Sequence, residues 1–497
     1  MEKLTNADRF SRREFLKSSL LAGIGISTFT LSSSAAKIER RSAAKRVIII
    51  GAGLAGMSAA YELIQAGHDV TILEARLRAG GRVQTLREPF SDGMYAEAGA
   101  MYVPDSHDWT LKYVKLFDVA LDPVPHSDLS TLLRMRGRQV ELKPNAKVAW
   151  PFNLKDDERA LDRRGLWEKY VVPVLKELEN DDLATDWPPP SLKKYDQMSF
   201  AEFLRRRGAS PDAVSIMNLG LASGLGDGGE AVSALDLMRE AMHREQTKHV
   251  STIKGGSDQL PQAFARRLVD KIHYGAAVIS IAHNSDGVRV VYSRAGERQT
   301  MKADRLICAV PFSVLRNIPV TPGFSLPKQQ AIRDLQYTSV SRVYVQTKKR
   351  FWLDQGWGGQ AATDLPIMSM YQRTPNLPGR RGIIESYTTG PRARQITAMP
   401  DSERVKFVLR YMSMVQPAMA ENFEGGASKC WDEDVWSRGA YAWFKPGQMT
   451  SLLPHIARAE GRIHFAGEHA SAWPGWMQGA FESGNRAARE VNDAGSL

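Results

Sequence analysis

Cysteine is nearly absent from this chain of 497 residues, which contains only Cys308 and Cys430. Two cysteines exclude a disulfide framework and a zinc site built on several cysteines. With 43% hydrophobic and 24% charged residues, the composition excludes disordered, collagenous and coiled-coil classes. At roughly 100–200 residues per domain, the length predicts two or three domains.

Long hydrophobic runs are also missing. The apolar stretch over residues 20–31 is shorter than the about 20 residues that a membrane-spanning helix needs, so we predict no stable membrane span. It follows Arg12 and Arg13 and precedes the small residues 34–36. This pattern resembles a twin-arginine export signal and predicts a signal peptide over 1–36, with a periplasmic or secreted product. A disordered basic tail is the alternative.

The net charge of +11 indicates an anionic partner or surface but does not identify it. The basic runs 205–207 and 348–350 lack interleaved aromatic residues, so we predict solvated faces and no nucleic-acid interface. The histidines lack the His-x-x-x-His spacing, so we predict no metal site.

A glycine-rich turn follows the first buried strand, which is predicted over 47–50. Gly51, Gly53 and Gly56 have the G-x-G-x-x-G spacing, a helix follows through Gln65, and a second strand ends at Glu74. Gly51 permits the turn, Gly53 lets the backbone approach a pyrophosphate, and Gly56 lets the helix pack on the strand. Glu74 is placed to accept hydrogen bonds from ribose hydroxyls. The pattern predicts a dinucleotide-binding βαβ unit.

A second basic, glycine-rich turn follows Glu74 directly and contains Arg76, Gly80, Gly81 and Arg82. NAD sites do not need such a turn, whereas its arginines can neutralise a pyrophosphate, so we predict FAD.

Further elements follow from the pattern of apolar residues. Residues 107–250 look mostly helical. A hairpin is predicted at 284–287, buried or alternating strands at 306–310, 340–347 and 462–466, and a helix over 476–491.

Five ordered blocks resemble the flavin amine oxidases, which include monoamine, polyamine and L-amino-acid oxidases. The blocks are 51–56 with Glu74, 80–82, 97–102, 255–261 and 465–480. Residues 358–359 and 363–366 are similar to the venom-type L-amino-acid oxidases in particular.

The resemblance implies an α/β fold with a discontinuous Rossmann-like FAD-binding domain over 47–106, 250–315 and 455–497. It also implies a mainly helical domain over 107–249 and a mixed-sheet substrate-binding domain over 316–454, with a linker over 37–46. The expected FAD contacts are Gly51, Gly53, Leu54, Ala55, Gly56, Glu74, Ala75, Arg76, Gly81, Arg82, Gly99, Ala100, Met101, Tyr102, Val278, Gly467, Glu468, Gly475, Trp476, Met477 and Ala480.

The resemblance also implies aromatic walls beside the flavin. Trp476 supplies one wall, and Ala440 or Tyr441 faces the substrate opposite it. Gly439 falls where mitochondrial monoamine oxidases carry the cysteine bound to flavin, so we expect noncovalent FAD.

Three positions depart from the family pattern. Tyr102 stands where L-amino-acid oxidases hold the substrate carboxylate with an arginine, and Gln372, next to Tyr371, stands where they have a tyrosine. Arg239 or Arg342 is then the candidate to supply the positive charge that would bind a substrate carboxylate. Arg342 also replaces the lysine linked to oxygen reactivity, unless it is a strand-edge arginine facing solvent.

One charged helix face is predicted from Asp236, Arg239, Glu240 and His243, which are spaced at i, i+3, i+4 and i+7. Glu240 is a candidate to pair with a distal cationic group of the substrate. A solvated face is the alternative.

The leading hypothesis is FAD-dependent oxidative deamination of an L-amino acid or primary amine, with O2 as the electron acceptor and peroxide as a product. The alternatives are a flavin amine dehydrogenase that passes electrons to a carrier and a non-catalytic flavin-bound protein. The sequence leaves open the substrate side chain and whether the chain forms a homodimer.

Overall fold

A computed structural model describes residues 38–144, 146–178, 188, 190–219, 224–245 and 247–495. The predicted signal peptide over 1–36 lies outside the described residues.

Strands are present from one end of the described chain to the other. They are β1 (Arg46–Ile50), β2 (Asp69–Glu74), β3 (Thr85–Leu86), β4 (Ala96–Glu97), β5 (Tyr102–Pro104), β6 (Leu121–Pro123), β7 (Ser130–Met135), β8 (Arg138–Leu142), β9 (Val250–Ile253), β10 (Ile272–Tyr274), β11 (Ala277–His283), β12 (Val288–Arg294), β13 (Glu297–Ala303), β14 (Arg305–Cys308), β15 (Val320–Thr321), β16 (Gln336–Tyr337), β17 (Val340–Thr347), β18 (Trp357–Thr363), β19 (Ser369–Gln372), β20 (Gly382–Thr389), β21 (Phe423–Cys430), β22 (Ala442–Trp443) and β23 (Ile463–Phe465).

The described helices are α1 (Leu54–Gln65), α2 (Asp108–Leu116), α3 (Asp156–Arg159), α4 (Arg163–Tyr170), α5 (Val172–Leu178), α6 (Lys193–Asp196), α7 (Phe200–Arg206), α8 (Pro211–Asn218), α9 (Ala234–Glu245), α10 (Gln259–Arg267), α11 (Phe312–Leu315), α12 (Leu326–Asp334), α13 (Phe351–Asp354), α14 (Gly390–Thr397), α15 (Asp401–Val415), α16 (Ala418–Asn422), α17 (Gln448–Ile456) and α18 (Met477–Asp493).

A five-stranded parallel sheet with the order β10-β2-β1-β14-β23 carries the predicted βαβ unit. The apolar residues of strands β1 and β14 are buried because a parallel sheet is covered on both faces. Segments distant in sequence build this sheet, as the predicted discontinuous domain requires. The predicted hairpin at 284–287 joins β11 to β12.

A seven-stranded sheet with the order β21-β17-β20-β19-β18-β7-β8 forms the second large layer. Strand β17 covers the predicted segment 340–347, and all eight of its residues are buried. It lies between β20 and β21 and pairs antiparallel with both.

The segment predicted as mainly helical, 107–249, contains strands as well as helices. Its strands β7 and β8 form a hairpin, and β7 joins the seven-stranded sheet by pairing with β18. The turn uses Arg136 and Gly137, with φ of 53° and 76°. Positive φ at both central residues is typical of a two-residue hairpin turn, but arginine is an unusual occupant of the first position.

The predicted linker over 37–46 is docked where it is described. Ile38 is buried, and the Ser42 hydroxyl donates to the carbonyl of Asn492 at 2.8 Å. Strand β1 then begins at Arg46. In the part of the chain that the structure describes, no helix has the length and apolar character of a membrane span.

Helices α1 and α18 pack closely because residue 484 is glycine. A Cβ at Gly484 would lie 2.4 Å from the carbonyl oxygen of Ala55 and 2.3 Å from the hydroxyl of Ser58. The backbone oxygen cannot move away as a flexible side chain would, so this approach needs glycine.

We therefore expect Gly484→Ala to destabilise the fold by about 1–3 kcal/mol through overpacking, although alanine is the better helix former. Thermal unfolding of the variant checks this. Gly425→Ala is the matched control, because a Cβ there meets nothing within 4 Å. A melting temperature for Gly484→Ala equal to or above that of the control would contradict the expectation.

Candidate active site

A cavity of about 670 Å³ extends along both large sheets. Its lining includes Gly51 and Glu74 of the parallel-sheet layer, Arg342 and Tyr371 of the seven-stranded sheet, and Trp476 before α18. The volume falls within the roughly 300–1,000 Å³ of small-molecule sites.

The glycine-rich turn after β1 forms one wall of the cavity. Gly51 has a φ of 102°, which only glycine adopts readily, and a Cβ at Gly56 would lie 2.0 Å from the Gly51 oxygen. A Cβ at Gly53 would instead meet nothing within 4 Å. Helix α1 begins here without a side-chain cap or an acidic residue in its first turn. Its first N–H groups are therefore suited to an anion.

Glu74 ends β2 beside this turn. Its carboxylate accepts hydrogen bonds from the backbone N–H of Ala52 at 2.7 Å and of Arg76 at 2.8 Å. Burial raises the pKa of Glu74 above its usual value, against the effect of these hydrogen bonds. The contacts fix the carboxylate at the cavity wall.

An ion pair joins the second glycine-rich turn to the C-terminal block. Arg82 Nη1 donates to Glu468 Oε1 and to the carbonyl of Ala440, both at 2.7 Å. The other oxygen of Glu468 accepts from the Gly475 N–H at 2.8 Å. Burial opposes ionisation of Glu468, but Arg82 and the hydrogen bonds hold its pKa below the usual range. Arg76 donates to Asp434.

Aromatic side chains form the wall that continues from Gly475. The Tyr441 ring lies against Gly475, where a Cβ would approach it to 3.5 Å. The hydroxyls of Tyr441 and Tyr387 are 3.0 Å apart. Trp476 Nε1 donates to Glu240 Oε2 at 3.0 Å. These side chains all line the cavity.

A buried ionic cluster completes the lining on the seven-stranded sheet. Arg342 and Arg373 each donate from Nε to a different oxygen of Glu385. Arg342 also donates to the carbonyl of Gly99, and Arg373 Nη1 donates to the Tyr102 hydroxyl at 2.7 Å. The cluster thus contacts the turn 99–102 at both of its ends.

Comparison with protein families gives one match that covers most of the chain. Residues 54–492 match the family described as flavin containing amine oxidoreductase. This chain belongs to that family.

Curated relatives and solved structures agree with the membership. A putative L-amino-acid oxidase of Bacillus subtilis (strain 168), YobN, is 34% identical over 90% of this chain and 95% of its own length. An L-amino-acid oxidase of Gloydius blomhoffii is 32% identical over 90% and 89%. The cyclohexylamine oxidase structure from Brevibacterium oxydans IH-35A has the same fold, with a TM-score of 0.77 at 20% identity over 90% and 99%. A putrescine oxidase structure has a TM-score of 0.77 at 22% identity over 90% and 99%.

The family implies a flavin, and the residues of this amine oxidoreductase fit one. The open space beside Gly53 is a cradle that a Cβ would fill, the N-terminus of α1 is suited to a diphosphate, and the Glu74 carboxylate suits a ribose. Among the described residues, no group of three or more His, Cys, Asp or Glu side chains is arranged to hold a metal ion.

The cavity of this amine oxidoreductase brings together nearly all the predicted FAD contacts. They are Gly51, Gly53, Leu54, Ala55, Glu74, Ala75, Arg76, Gly81, Arg82, Gly99, Ala100, Met101, Tyr102, Val278, Gly467, Glu468, Gly475, Trp476, Met477 and Ala480. Gly56 is not part of the lining and packs against Gly51 instead. The contacts themselves stay predictions.

The predicted substrate residues divide into two groups. Glu240, Arg342, Tyr371, Ala440 and Tyr441 line the cavity, as does Tyr102. Gln372 and Arg239 do not line it. Gln372 alternates with Tyr371 along β19 and points to the other face, where a Cβ on Gly359 would approach it to 2.7 Å.

The alternative of a solvated charged face on α9 is wrong. Asp236, Arg239 and His243 are buried. Arg239 pairs with Asp236 at 2.7 Å and lies over the Phe444 ring at 5.4 Å. His243 stacks on Trp473 at 3.6 Å, and burial lowers its pKa to about 3. Packing of α9 against the C-terminal block buries the face.

Arg342 is likewise not a strand-edge residue facing solvent. Its side chain is 5% exposed and lies between Glu385 and the Gly99 carbonyl. Burial opposes its charge, yet Glu385 raises the pKa of Arg342 above the usual value. It therefore stays cationic.

Sequence reasoning missed Arg163, Arg373, Glu385 and Tyr387. Arg163, Arg373 and Tyr387 line the cavity. Glu385 is buried next to it and accepts hydrogen bonds from two of the lining arginines. For Glu385 the available signal was a single charged residue after the apolar pair 383–384, because buried charges are rare unless paired.

A comparison of alanine substitutions at Gly53 and Gly425 tests whether the open space beside Gly53 holds the FAD diphosphate. Gly53→Ala adds a methyl group to open space, so we expect normal folding of the apoprotein but an about tenfold weaker affinity for FAD. Titration of apoprotein with FAD, followed by flavin fluorescence, measures this. Gly425→Ala serves as the control for both readouts. Unchanged FAD affinity in a folded Gly53→Ala protein would contradict the placement of the diphosphate.

Proposed function

We propose that this chain binds FAD noncovalently and oxidatively deaminates an L-amino acid or a primary amine. The observation that carries the proposal is one cavity that joins a dinucleotide cradle to an aromatic wall. The relatives support it, because the two that are similar in sequence are named L-amino-acid oxidases, one of them as putative, and the two that share the fold are named for amines.

Noncovalent binding is supported by Gly439. Its φ is 122°, and a Cβ there would approach the Cβ of Tyr337 to 2.7 Å. A cysteine could not occupy this position without movement of the backbone. Cys308 and Cys430 are both buried.

A bound flavin would supply the acceptor for the hydride equivalent that leaves the substrate carbon next to nitrogen. Trp476 and Tyr441 would confine the substrate between their rings and exclude water. Burial raises the pKa of Tyr441 well above its usual value, so this wall stays uncharged. Removal of water favours the neutral amine, whose lone pair assists loss of the hydride, and no dedicated base is required.

The two remaining steps, hydrolysis of the imine and reoxidation of the flavin, need only water and dioxygen. Water hydrolyses the released imine to a carbonyl compound and ammonia. Dioxygen takes up the two electrons with two protons and leaves as hydrogen peroxide. Arg342 would supply a fixed positive charge near the turn 99–102 and would not carry protons, since an arginine paired with a carboxylate does not deprotonate near neutral pH.

The deciding experiment is anaerobic mixing of the oxidised holoenzyme with L-amino acids, monoamines, diamines and polyamines. Bleaching of the flavin absorbance supports the proposal. Fast return of the colour on addition of air supports an oxidase, whereas return only with an added electron carrier supports a dehydrogenase. Absence of bleaching with every compound would leave a flavin-bound binding protein and overturn the proposal.

Removal of the Trp476 ring tests the aromatic wall. We expect Trp476→Ala to lower kcat/KM by about 10–100-fold per bound flavin, because the ring no longer holds the substrate. Trp476→Phe keeps a ring but loses the hydrogen bond to Glu240, so we expect a smaller decrease. Steady-state kinetics normalised to flavin content measures both. Trp357→Phe is the control, because Trp357 is buried but does not line the cavity. Equal activity of Trp476→Ala and wild type would contradict the wall.

Export through the twin-arginine pathway is a further proposal, which rests on Arg12 and Arg13. Replacing both by lysine keeps the charge, so we expect the precursor to stay in the cytoplasm although the basic character is unchanged. Cell fractionation measures this, with Arg9→Lys as the control. Equal export of the double variant would contradict the proposal.

A further inference from the structure

We infer that Arg373 receives the carboxylate of an α-amino acid substrate. This inference rests on the proposed function and narrows its substrate class. It assigns the carboxylate to the residue that directly follows β19 of the seven-stranded sheet, in a chain where position 102 is tyrosine.

Strand register first places Arg373 on the cavity face. Tyr387 lies opposite Arg342 on β17, and Tyr371 on β19 lies opposite Glu385 on β20. Residues two apart share a face, so Arg342, Glu385, Tyr387 and Tyr371 form one surface. Arg373 follows Tyr371 by two and continues the pairing through its N–H to the Ile383 carbonyl at 3.0 Å.

The charge of this surface is unbalanced. Arg342, Arg373 and Glu385 have side chains that are 5%, 9% and 0% exposed, so two guanidinium groups share one buried carboxylate. Arg163 adds a third guanidinium to the same cavity lining. Glu240, the acidic residue of the aromatic wall, lines the same cavity and accepts a hydrogen bond from Trp476, so three guanidinium groups are accompanied by two carboxylates. A buried excess of positive charge favours an anionic ligand.

The guanidinium of Arg373 is also held in one orientation. Its Nε is bound to Glu385, its Nη1 to the Tyr102 hydroxyl, and its central carbon lies 4.6 Å from the centre of the Tyr371 ring. Its side-chain hydrogen bonds to described residues engage two of the five N–H donors of a guanidinium. The Tyr102 hydroxyl accepts from Arg373, so its own proton can be donated. Arginine and tyrosine together present the donors that a carboxylate needs.

The position suits the chemistry of an α-amino acid. The Arg342 guanidinium connects this surface to the Gly99 carbonyl, and through the Tyr387 ring, 5.3 Å away, to Tyr441. A carboxylate on Arg373 is therefore bound beside the same aromatic wall that confines the amine. The two groups of an amino acid are separated by one carbon, which matches binding on one side of a single wall.

The test compares each amino acid with the amine that lacks its carboxylate. Suitable pairs are phenylalanine with phenethylamine, leucine with isopentylamine and lysine with cadaverine. For wild-type holoenzyme we expect the amino acid to give the higher kcat/KM. For Arg373→Gln we expect that value to fall about 100-fold, while kcat/KM for the amine changes by less than about threefold. Arg373→Lys, which keeps the charge but not the fork, should fall between.

A binding measurement separates recognition from turnover. 3-Phenylpropanoate carries the carboxylate but no amine, so it cannot be oxidised at that position. We expect calorimetry to show that it binds oxidised wild-type holoenzyme and binds Arg373→Gln at least tenfold more weakly. Arg394→Gln is the matched control, since Arg394 is ion-paired with Asp227 and does not line the cavity.

The outcomes distinguish the inference from the function it rests on. Equal loss of kcat/KM for both members of a pair would show that Arg373 only supports the sheet, and would overturn the inference. A wild-type enzyme that oxidises amines but not amino acids would overturn it too, and would leave the proposed amine oxidation intact. If Arg373→Gln does not fold, Arg373→Lys still decides, because an unchanged preference for the amino acid and unchanged 3-phenylpropanoate affinity in that variant would overturn the inference. If neither class bleaches the flavin, the proposed function itself fails.

Discussion

The shared carboxylate of Glu385 is the interaction on which the substrate side of the cavity depends. Two guanidinium groups at one buried site repel each other, and neither would be stable there without a counter-charge. Burial opposes ionisation of Glu385, but Arg342 and Arg373 hold its pKa below the usual value. The carboxylate is therefore charged, and it fixes both arginines at the cavity. Because Arg342 also reaches the carbonyl of Gly99, the same interaction ties the seven-stranded sheet to the cofactor cradle.

The cradle depends on a second ion pair, between Arg82 and Glu468. Arg82 lies in the turn after β2 and Glu468 in the turn after β23, so this pair connects the two outer parts of a domain that is interrupted in sequence. Glu468 also holds Gly475, the residue before Trp476. The aromatic wall is thus held from both sides, through Gly475 by Glu468 and through Tyr441 by Tyr387 of the seven-stranded sheet. In the proposed function, contacts between these two layers would bring substrate and flavin together.

Local rules predicted the glycine-rich turn well and the cavity lining on the seven-stranded sheet only in part. The turn 51–56 is predictable because Gly51 and Gly56 each meet a backbone constraint within a few residues. The buried strands at 306–310 and 340–347 are predictable because their apolar runs are short and continuous. The hairpin of β7 and β8 was missed because Arg136 takes a positive φ that favours Gly or Asn.

Tertiary packing explains the other differences. The charges on α9 suggested solvent, but Arg239 pairs with Asp236 of the same helix and lies over the Phe444 ring, and His243 stacks on Trp473 of the C-terminal block. Arg373 was missed because its neighbours are decided by the pairing of β17, β20 and β19, which no local pattern reports. Gln372 was aligned to the cavity, but strand alternation turns it away and presents Tyr371 and Arg373 instead.

What a site recognises depends on where a charged group lies in space, not on which strand carries it. A tyrosine side chain places its hydroxyl at a distance from the backbone similar to that of a guanidinium on an arginine. Arg373 donates to the hydroxyl of Tyr102, so its guanidinium lies beside the space that an arginine at position 102 would reach. Arg373 can thus supply the positive charge that an arginine at position 102 would supply, and the cavity keeps that charge. Sequence comparison at position 102 alone would assign this chain to simple amines, whereas the surface formed by three strands favours a substrate with a carboxylate.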